Sequence, residues 1–331
     1  MFWHSITDNL LHVPILFFFL GLLAVAVRSD LEIPPQIGKF LSLYLLFSIG
    51  LKGGFELADS HAGASPLWVM LACVLFSFAV PFLAYPILKL RINHHDAGAI
   101  AASYGSVSAA AFAAGVAFCE VNGIKYDGYM VASLALMESP AIIAGMILIR
   151  QAESKAAKAA QAVGEKPPVT NWKAIIHESF FNGSVFLLLG ALVVGMLTGH
   201  KGKNEVDEFM ENIFSGFLSL YMLNMGLLAG GRITELKRAG MFLTGFAVLF
   251  PVLTGALGLL LAYLLGLSPG DAFLFTVLAS SCSNIAVPAA MSISVPQANM
   301  GLVLPMALGV SFTLTVTLGI PLINRAIELI W

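Results

Sequence analysis

Apolar residues fall in blocks of about 20 along this chain, parted by short polar breaks, which is the spacing of membrane spans rather than of amphipathic surface helices. Ten such blocks are read, at roughly 11–27, 37–57, 66–88, 97–118, 128–149, 180–198, 210–231, 240–266, 271–293 and 300–329. One long polar stretch interrupts them, from Arg150 to Glu178, with an Ala- and Lys-rich core that ends at Pro167-Pro168. It divides the chain into a first five-span unit (1–150), a cytoplasmic linker (151–178) and a second five-span unit (179–331). Lipid offers the backbone no hydrogen-bond partner, so the blocks are expected to be helices. The fold class is an all-α polytopic membrane protein of ten transmembrane helices.

Composition agrees. Hydrophobic residues make up 58% of the 331 and charged ones 11%, where a soluble domain carries about 25% charged residues. The mean hydropathy is +0.88. A net charge of -2 without a long basic tract argues against nucleic acid as a partner. The first block has neither a basic leader nor a small-residue cleavage site after it, so it is read as a retained span. Cys73, Cys119 and Cys282 form no CxxC and are read as small packing residues. No HExxH, nucleophile elbow or phosphate loop occurs, and all seven histidines lie in or beside loops. The chain is read as no enzyme, without a cofactor. His94-His95 has no carboxylate or thiol at ligand spacing, so no metal is expected there.

Basic residues set the orientation. Twelve of the 17 Lys and Arg fall in loops after odd-numbered spans; the other five are Lys52, Lys125, Lys201, Lys203 and Arg325. The odd loops are therefore cytoplasmic and both termini outside. Lys52, near the outer end of its span, is expected to snorkel to the interface.

The chain also repeats itself. Phe40-Leu41-Ser42-Leu43-Tyr44 leads to Gly53-Gly54, and Phe217-Leu218-Ser219-Leu220-Tyr221 leads to Gly230-Gly231, at an offset of 177. Leu20-Gly21 resembles Leu189-Gly190 at 169, and Asp96-Ala97 matches Asp271-Ala272 at 175, which sets Ser106-Val107-Ser108 on Ser281-Cys282-Ser283. Five spans per half is an odd number, so the copies are expected to be inverted. Both Asp96 and Asp271 stand where an N-cap is wanted.

Spans four and nine carry the unusual chemistry. Ser103-Tyr104-Gly105-Ser106-Val107-Ser108 and Ser280-Ser281-Cys282-Ser283-Asn284 are rich in residues that divert backbone hydrogen bonds. Pro288 is expected to leave the Asn284 carbonyl without its donor. Broken helices at matching places in two halves point to a transporter's substrate site, where free half-helix N-termini suit a small anion. Gly105, Ser106, Ser108, Ser281, Ser283 and Asn284 are the candidate substrate ligands; close helix packing by small residues is the alternative use. Glu138, before Ser139-Pro140, is the one carboxylate near a span centre. With Ser103 and Ser139 it is the candidate set for sodium, a coupling ion; a proton-carrying or structural role for Glu138 is the alternative.

The runs FLSLYLLFSIGLKGG (40–54), SSCSNIAVPAA (280–290) and LGIPL (318–322) resemble the SbtA-type sodium-dependent bicarbonate transporters over nearly the whole chain. The resemblance implies a homotrimer, with a gate and a core domain in each protomer. Bicarbonate would bind between the broken core helices beside sodium, and a cytoplasmic PII-like partner would regulate uptake. The FLSLY spans are assigned to the gate. Where the family shows SSSDISGPP, this chain has Asn284 for the Asp and Val287-Pro288 for Gly-Pro; where it shows AVSGST, Ala109 follows Ser108. The family's fifth-span Asp is Glu138 here. The reading is a secondary active transporter of a bacterial plasma (inner) membrane, taking up bicarbonate or a similar small anion with sodium by an elevator-like, alternating-access motion. The alternative is a sodium/proton or other cation exchanger with Glu138 as carrier.

Overall fold

A computed structural model describes residues 10–59, 65–160 and 183–331. Among them all regular structure is helical: α1 (Val13–Ala26), α2 (Pro35–Asp59), α3 (Ser65–Leu88), α4 (His94–Gly105), α5 (Ala109–Asn122), α6 (Tyr129–Ala160), α7 (Gly183–Asp207), α8 (Phe214–Gly231), α9 (Ile233–Leu264), α10 (Pro269–Ala279), α11 (Ala286–Ser294) and α12 (Met300–Ile330). Eight stretches are long and apolar enough to cross a membrane, α4 and α5 counting as one. They answer eight of the ten expected blocks. In the first block α1 has 14 residues, about 21 Å of helix against a hydrocarbon core of about 30 Å. The ninth is divided between α10 and α11. The rest of the linker core, including Pro167-Pro168, lies outside the described residues, but its first part continues α6 as helix to Ala160.

Glycine ends two helices early. Gly199 (φ 51°) kinks α7, and Gly240 (φ 82°) separates a short leading segment of α9 from its apolar body. Both occupy left-handed backbone, which a side chain disfavours. Leu197, Met241, Leu249 and Val252 are exposed on these helices, as apolar side chains facing lipid should be. The protein is a multi-pass membrane protein.

Four helices form one packed group. α2 lies along α7, α8 lies along α1, and α2 touches α8. Small residues permit the close crossings. A Cβ on Gly54 would strike the Leu192 carbonyl of α7, and one on Gly226 would strike the Phe18 carbonyl of α1. The two FLSLY copies meet where α2 touches α8: the Tyr44 ring stacks on that of Phe217 at 4.3 Å, and Phe40 meets it edge-on at 5.9 Å. The Gly-Gly pairs do not act alike, since Gly54 is enclosed and its counterpart Gly231 faces open space. Gly54→Leu should therefore cost about 1–3 kcal/mol from overpacking and lower the melting temperature, whereas Gly231→Ala should leave it near wild type.

The remaining helices form two bundles: α3 packs with α4 and α6, and α9 packs with α10 and α12. Two carboxylates tie each bundle to the other. Asp96 Oδ1 accepts from the Asn299 amide at 2.7 Å, while Asp271 accepts from the Asp127 amide and the Tyr129 hydroxyl, both at 2.8 Å. Neither is the N-cap expected of it. Asn93 caps α4, its Oδ1 accepting from the amides of His95 and Asp96, and Ser268 caps α10. Asp96 and Asp271 stand three residues later and accept from the cap side chains, from Asn93 Nδ2 and Ser268 Oγ.

Burial and the neighbouring Asp271 raise the pKa of Asp127, in the loop before α6, above its ordinary 3.8. An acid with a raised folded value stabilises the protein below its ordinary range, and that contribution is lost as pH rises through the raised value. Asp127→Asn should thus flatten the fall in melting temperature on raising pH from about 4, read as the difference between variant and wild type.

Two polar features differ from expectation. Lys52 does not reach out alone: it pairs with Glu120 of α5, joining the four-helix group to a broken span. His94 and His95 do have a carboxylate nearby, since Glu153 of α6 places its oxygen 3.1 Å from His95 Nε2. The ligating atoms of these three lie within 4.8 Å of one another. Arg150 also holds the other Glu153 oxygen, at 2.7 Å, so this carboxylate is shared between a guanidinium and an imidazole.

Candidate functional site

Both interruptions fall where the Ser and Gly clusters lie. α4 stops at Gly105, where a Cβ would run into the Pro81 ring, and Ser106 turns extended (φ -88°, ψ -179°). Ser108 (φ -109°, ψ 113°) caps α5, its Oγ accepting from the Ala111 amide at 3.2 Å. In the other half α10 stops at Ala279 and α11 starts at Ala286. Ser283 Oγ accepts from the Val287 amide at 3.2 Å. Ser108 and Ser283, matched at offset 175, thus do the same work: each hydroxyl satisfies an N–H at the start of a second half-helix.

Pro288 acts differently from expectation. It is the third residue of α11, a position whose N–H has no intrahelical partner in any case. It therefore helps start the half-helix rather than breaking a continuous one.

The two breaks lock together. The Ser283 amide donates to the Ser103 carbonyl at 2.9 Å, and Ser103 Oγ donates back to the Ser283 carbonyl. The Ser108 amide donates to Ser281 Oγ at 3.0 Å, and Ser281 Oγ donates to the Leu278 carbonyl at 2.8 Å. Ser106 Oγ donates to the Glu138 carbonyl at 3.1 Å, which brings α6 to the same point. All five serines are buried, as is Ser139, while Asn284 and Glu138 are half-buried. Every candidate site residue is thereby gathered in one region.

Each hydroxyl has one hydrogen to give, and three are already given to carbonyls: those of Ser103, Ser106 and Ser281. Ser108 and Ser283 only accept in the bonds described above, so their hydrogens remain for a ligand. The amide N–H groups of Ala109, Ala110 and Ala286 make no hydrogen bond among the described residues. They are the leading donors of α5 and α11, where the helix dipoles are positive.

A cavity of about 1240 Å³ opens beside these groups, with Ser108 just behind its lining, between Val107 and Ala109. Ala109, Ala110, Ser283, Asn284 and Ala286 line it, with Glu138 among them and α2, α7 and α8 across from them. The Glu138 carboxylate has no hydrogen-bond or ion-pair partner among the described residues. Ser77 of α3 donates to the Met137 carbonyl at 2.5 Å, supporting α6 one turn from Pro140, whose ring nitrogen has no hydrogen to donate. Arranged so, the region offers two neutral hydroxyl donors, a set of free backbone donors and one unpaired carboxylate. That combination can hold an anion and a cation side by side.

Residues 14–328 match the family model of the Na+-dependent bicarbonate transporter superfamily. The chain belongs to that superfamily. Membership assigns transport rather than catalysis. Comparison with curated proteins gives no match. Within this family fold, sequence reasoning missed Asn224 of α8, a lining residue that is only 7% exposed. Its signal was available: it is an amide inside the apolar run Tyr221-Met222-Leu223-Asn224-Met225.

Proposed function

We propose that this protein is a secondary active transporter that takes up bicarbonate or a similar small anion together with sodium. The observation that carries the reading is the pair of half-helix N-termini, at Ala109 and Ala286, opening on one cavity beside an unpaired Glu138. The anion sits on the Ala109, Ala110 and Ala286 amides and takes hydrogen bonds from Ser108 and Ser283, with Gly105, Ser106, Ser281 and Asn284 shaping its surroundings. Sodium sits by the Glu138 carboxylate, with Ser139 and Ser103 beside it, and cancels the charge that would otherwise repel the anion.

Reciprocal packing supports ten spans built as two inverted repeats. α2 pairs with α7 as α8 pairs with α1, and the Asp96 and Asp271 ties run in opposite directions between the bundles. The two breaks travel as one body, since they are bonded to each other, against the four-helix group that holds both FLSLY copies. That motion is an elevator-like alternating access, with the four-helix group as gate and trimer scaffold in the bacterial inner membrane. A PII-like partner would meet the cytoplasmic side.

Bicarbonate and sodium should stabilise the purified protein only together. At a hundred times its dissociation constant a ligand adds about 2.7 kcal/mol, so the melting temperature should rise with both present and remain flat with either alone. A flat response to the pair would sink this reading. The lone carboxylate favours one other reading, cation/proton exchange through Glu138; stabilisation by sodium alone, growing with pH, would support that instead.

A further inference from the structure

The four-helix group presents its own polar group to the cavity. Asn224 of α8 is 7% exposed and makes no hydrogen bond among the described residues. Leu43, Leu46, Met225 and Leu228 on that wall are apolar, and Ser42 and Lys39 of α2 also line it. A buried amide without partners is costly in a membrane protein, where neither lipid nor apolar side chains can satisfy it. The backbone nevertheless makes room for it: Gly38 of α2 faces it, and a Cβ there would lie 2.6 Å from Asn224 Nδ2. The amide also lines the same cavity as Ser283, Asn284 and Glu138.

We propose that Asn224 is the scaffold's ligand for the transported anion and selects an oxyanion that carries a hydrogen. The inference rests on the transporter reading above. The chemistry follows from the amide itself, which offers N–H donors and a carbonyl acceptor from one rigid plane. The half-helix N-termini and the two serine hydroxyls face the anion with donors only. An anion recognised solely by donors need not be protonated, and nitrate would serve as well as bicarbonate. The Asn224 carbonyl adds an acceptor, which an O–H group of the substrate satisfies and which a bare oxyanion leaves unpaired. Leaving a buried acceptor unpaired is how polar sites reject analogues that lack one hydrogen bond. Being neutral, the amide gains this selectivity without holding the anion as an arginine would.

The test is Asn224→Asp, nearly isosteric, compared with Asn224→Leu and with Ser283→Leu in sodium-driven uptake by proteoliposomes. For Asn224→Asp the anion KM should rise at least roughly tenfold at pH 8, with kcat within about twofold, and should fall again as the pH is lowered and the new carboxylate is neutralised. Asn224→Leu should raise KM to a similar degree without the pH recovery, and it should narrow the preference for bicarbonate over nitrate as competitors. A wild-type KM and an unchanged competitor order in the Asp variant, with Ser283→Leu inactive, overturns the role of Asn224 while leaving the anion site standing. Full activity in Ser283→Leu as well overturns the site itself. Should the Leu variant fail to elute as folded protein, the Asp variant's KM and pH profile decide alone.

Discussion

Ser108→Ala and Ser283→Ala should each reduce sodium-driven anion uptake at least roughly tenfold, and the Leu variants should abolish it, while the purified proteins should keep their helical spectra and elution volumes. Ser108 Oγ caps α5 through the Ala111 amide and Ser283 Oγ accepts from the Val287 amide in the first turn of α11, and their hydrogens are the only serine donors in the break region not given to carbonyls. A hydrogen bond to a charged group contributes about 1.5–3 kcal/mol, hence one to two orders of magnitude in binding. Losing the cap costs the fold a further ~1 kcal/mol, far less than needed to unfold it. Ser103→Ala and Ser106→Ala are the informative contrast. Their hydroxyls bond the Ser283 and Glu138 carbonyls, so these variants should lower the melting temperature more than the affinity. Equal uptake in all four variants would remove the proposed anion ligands.

Glu138→Gln keeps the shape of the side chain and deletes its charge. Sodium-driven uptake should fall at least tenfold, with the sodium concentration for half-maximal rate shifted upward, because a carboxylate is a far better ligand than an amide for a hard cation. Initial rates against sodium at fixed bicarbonate give the shift. The variant should melt no lower than wild type, since a carboxylate with no partner is a burden to the fold and its neutral isostere is not. Cation/proton exchange makes the opposite forecast: wild-type flux would vary strongly with pH and need no bicarbonate. Sodium-dependent uptake that is insensitive to pH decides against exchange.

The breaks were legible in the sequence because local chemistry makes them. Gly105 and the serines around it divert backbone hydrogen bonds within a few residues, and the offset of 175 then aligned Ser108 with Ser283, each of which accepts from an amide in the first turn of its half-helix. Glu138 was legible as the single carboxylate at a span centre. What stayed hidden depends on partners far along the chain. Lys52 meets Glu120, 68 positions away, and His95 meets Glu153, 58 positions away, distances on which periodicity is silent. Asp96 and Asp271 were assigned to the right helix ends but the wrong place in the cap, because an acid three residues into a helix and an acid at its cap look alike when Asn93 and Ser268 precede them. Pro288 was read as a breaker from its ring chemistry alone, and only the start of α11 at Ala286 shows it to be an N-terminal residue. The Gly-Gly pairs set the register of the repeat, yet only Gly54 of the two second glycines is needed at a crossing.

Labelled bicarbonate uptake into proteoliposomes, with and without an inward sodium gradient, tests the account most directly. The account predicts accumulation above equilibrium that requires the gradient and is lost in Ser283→Leu. Uptake of the same size without sodium, or retained in that variant, would contradict it.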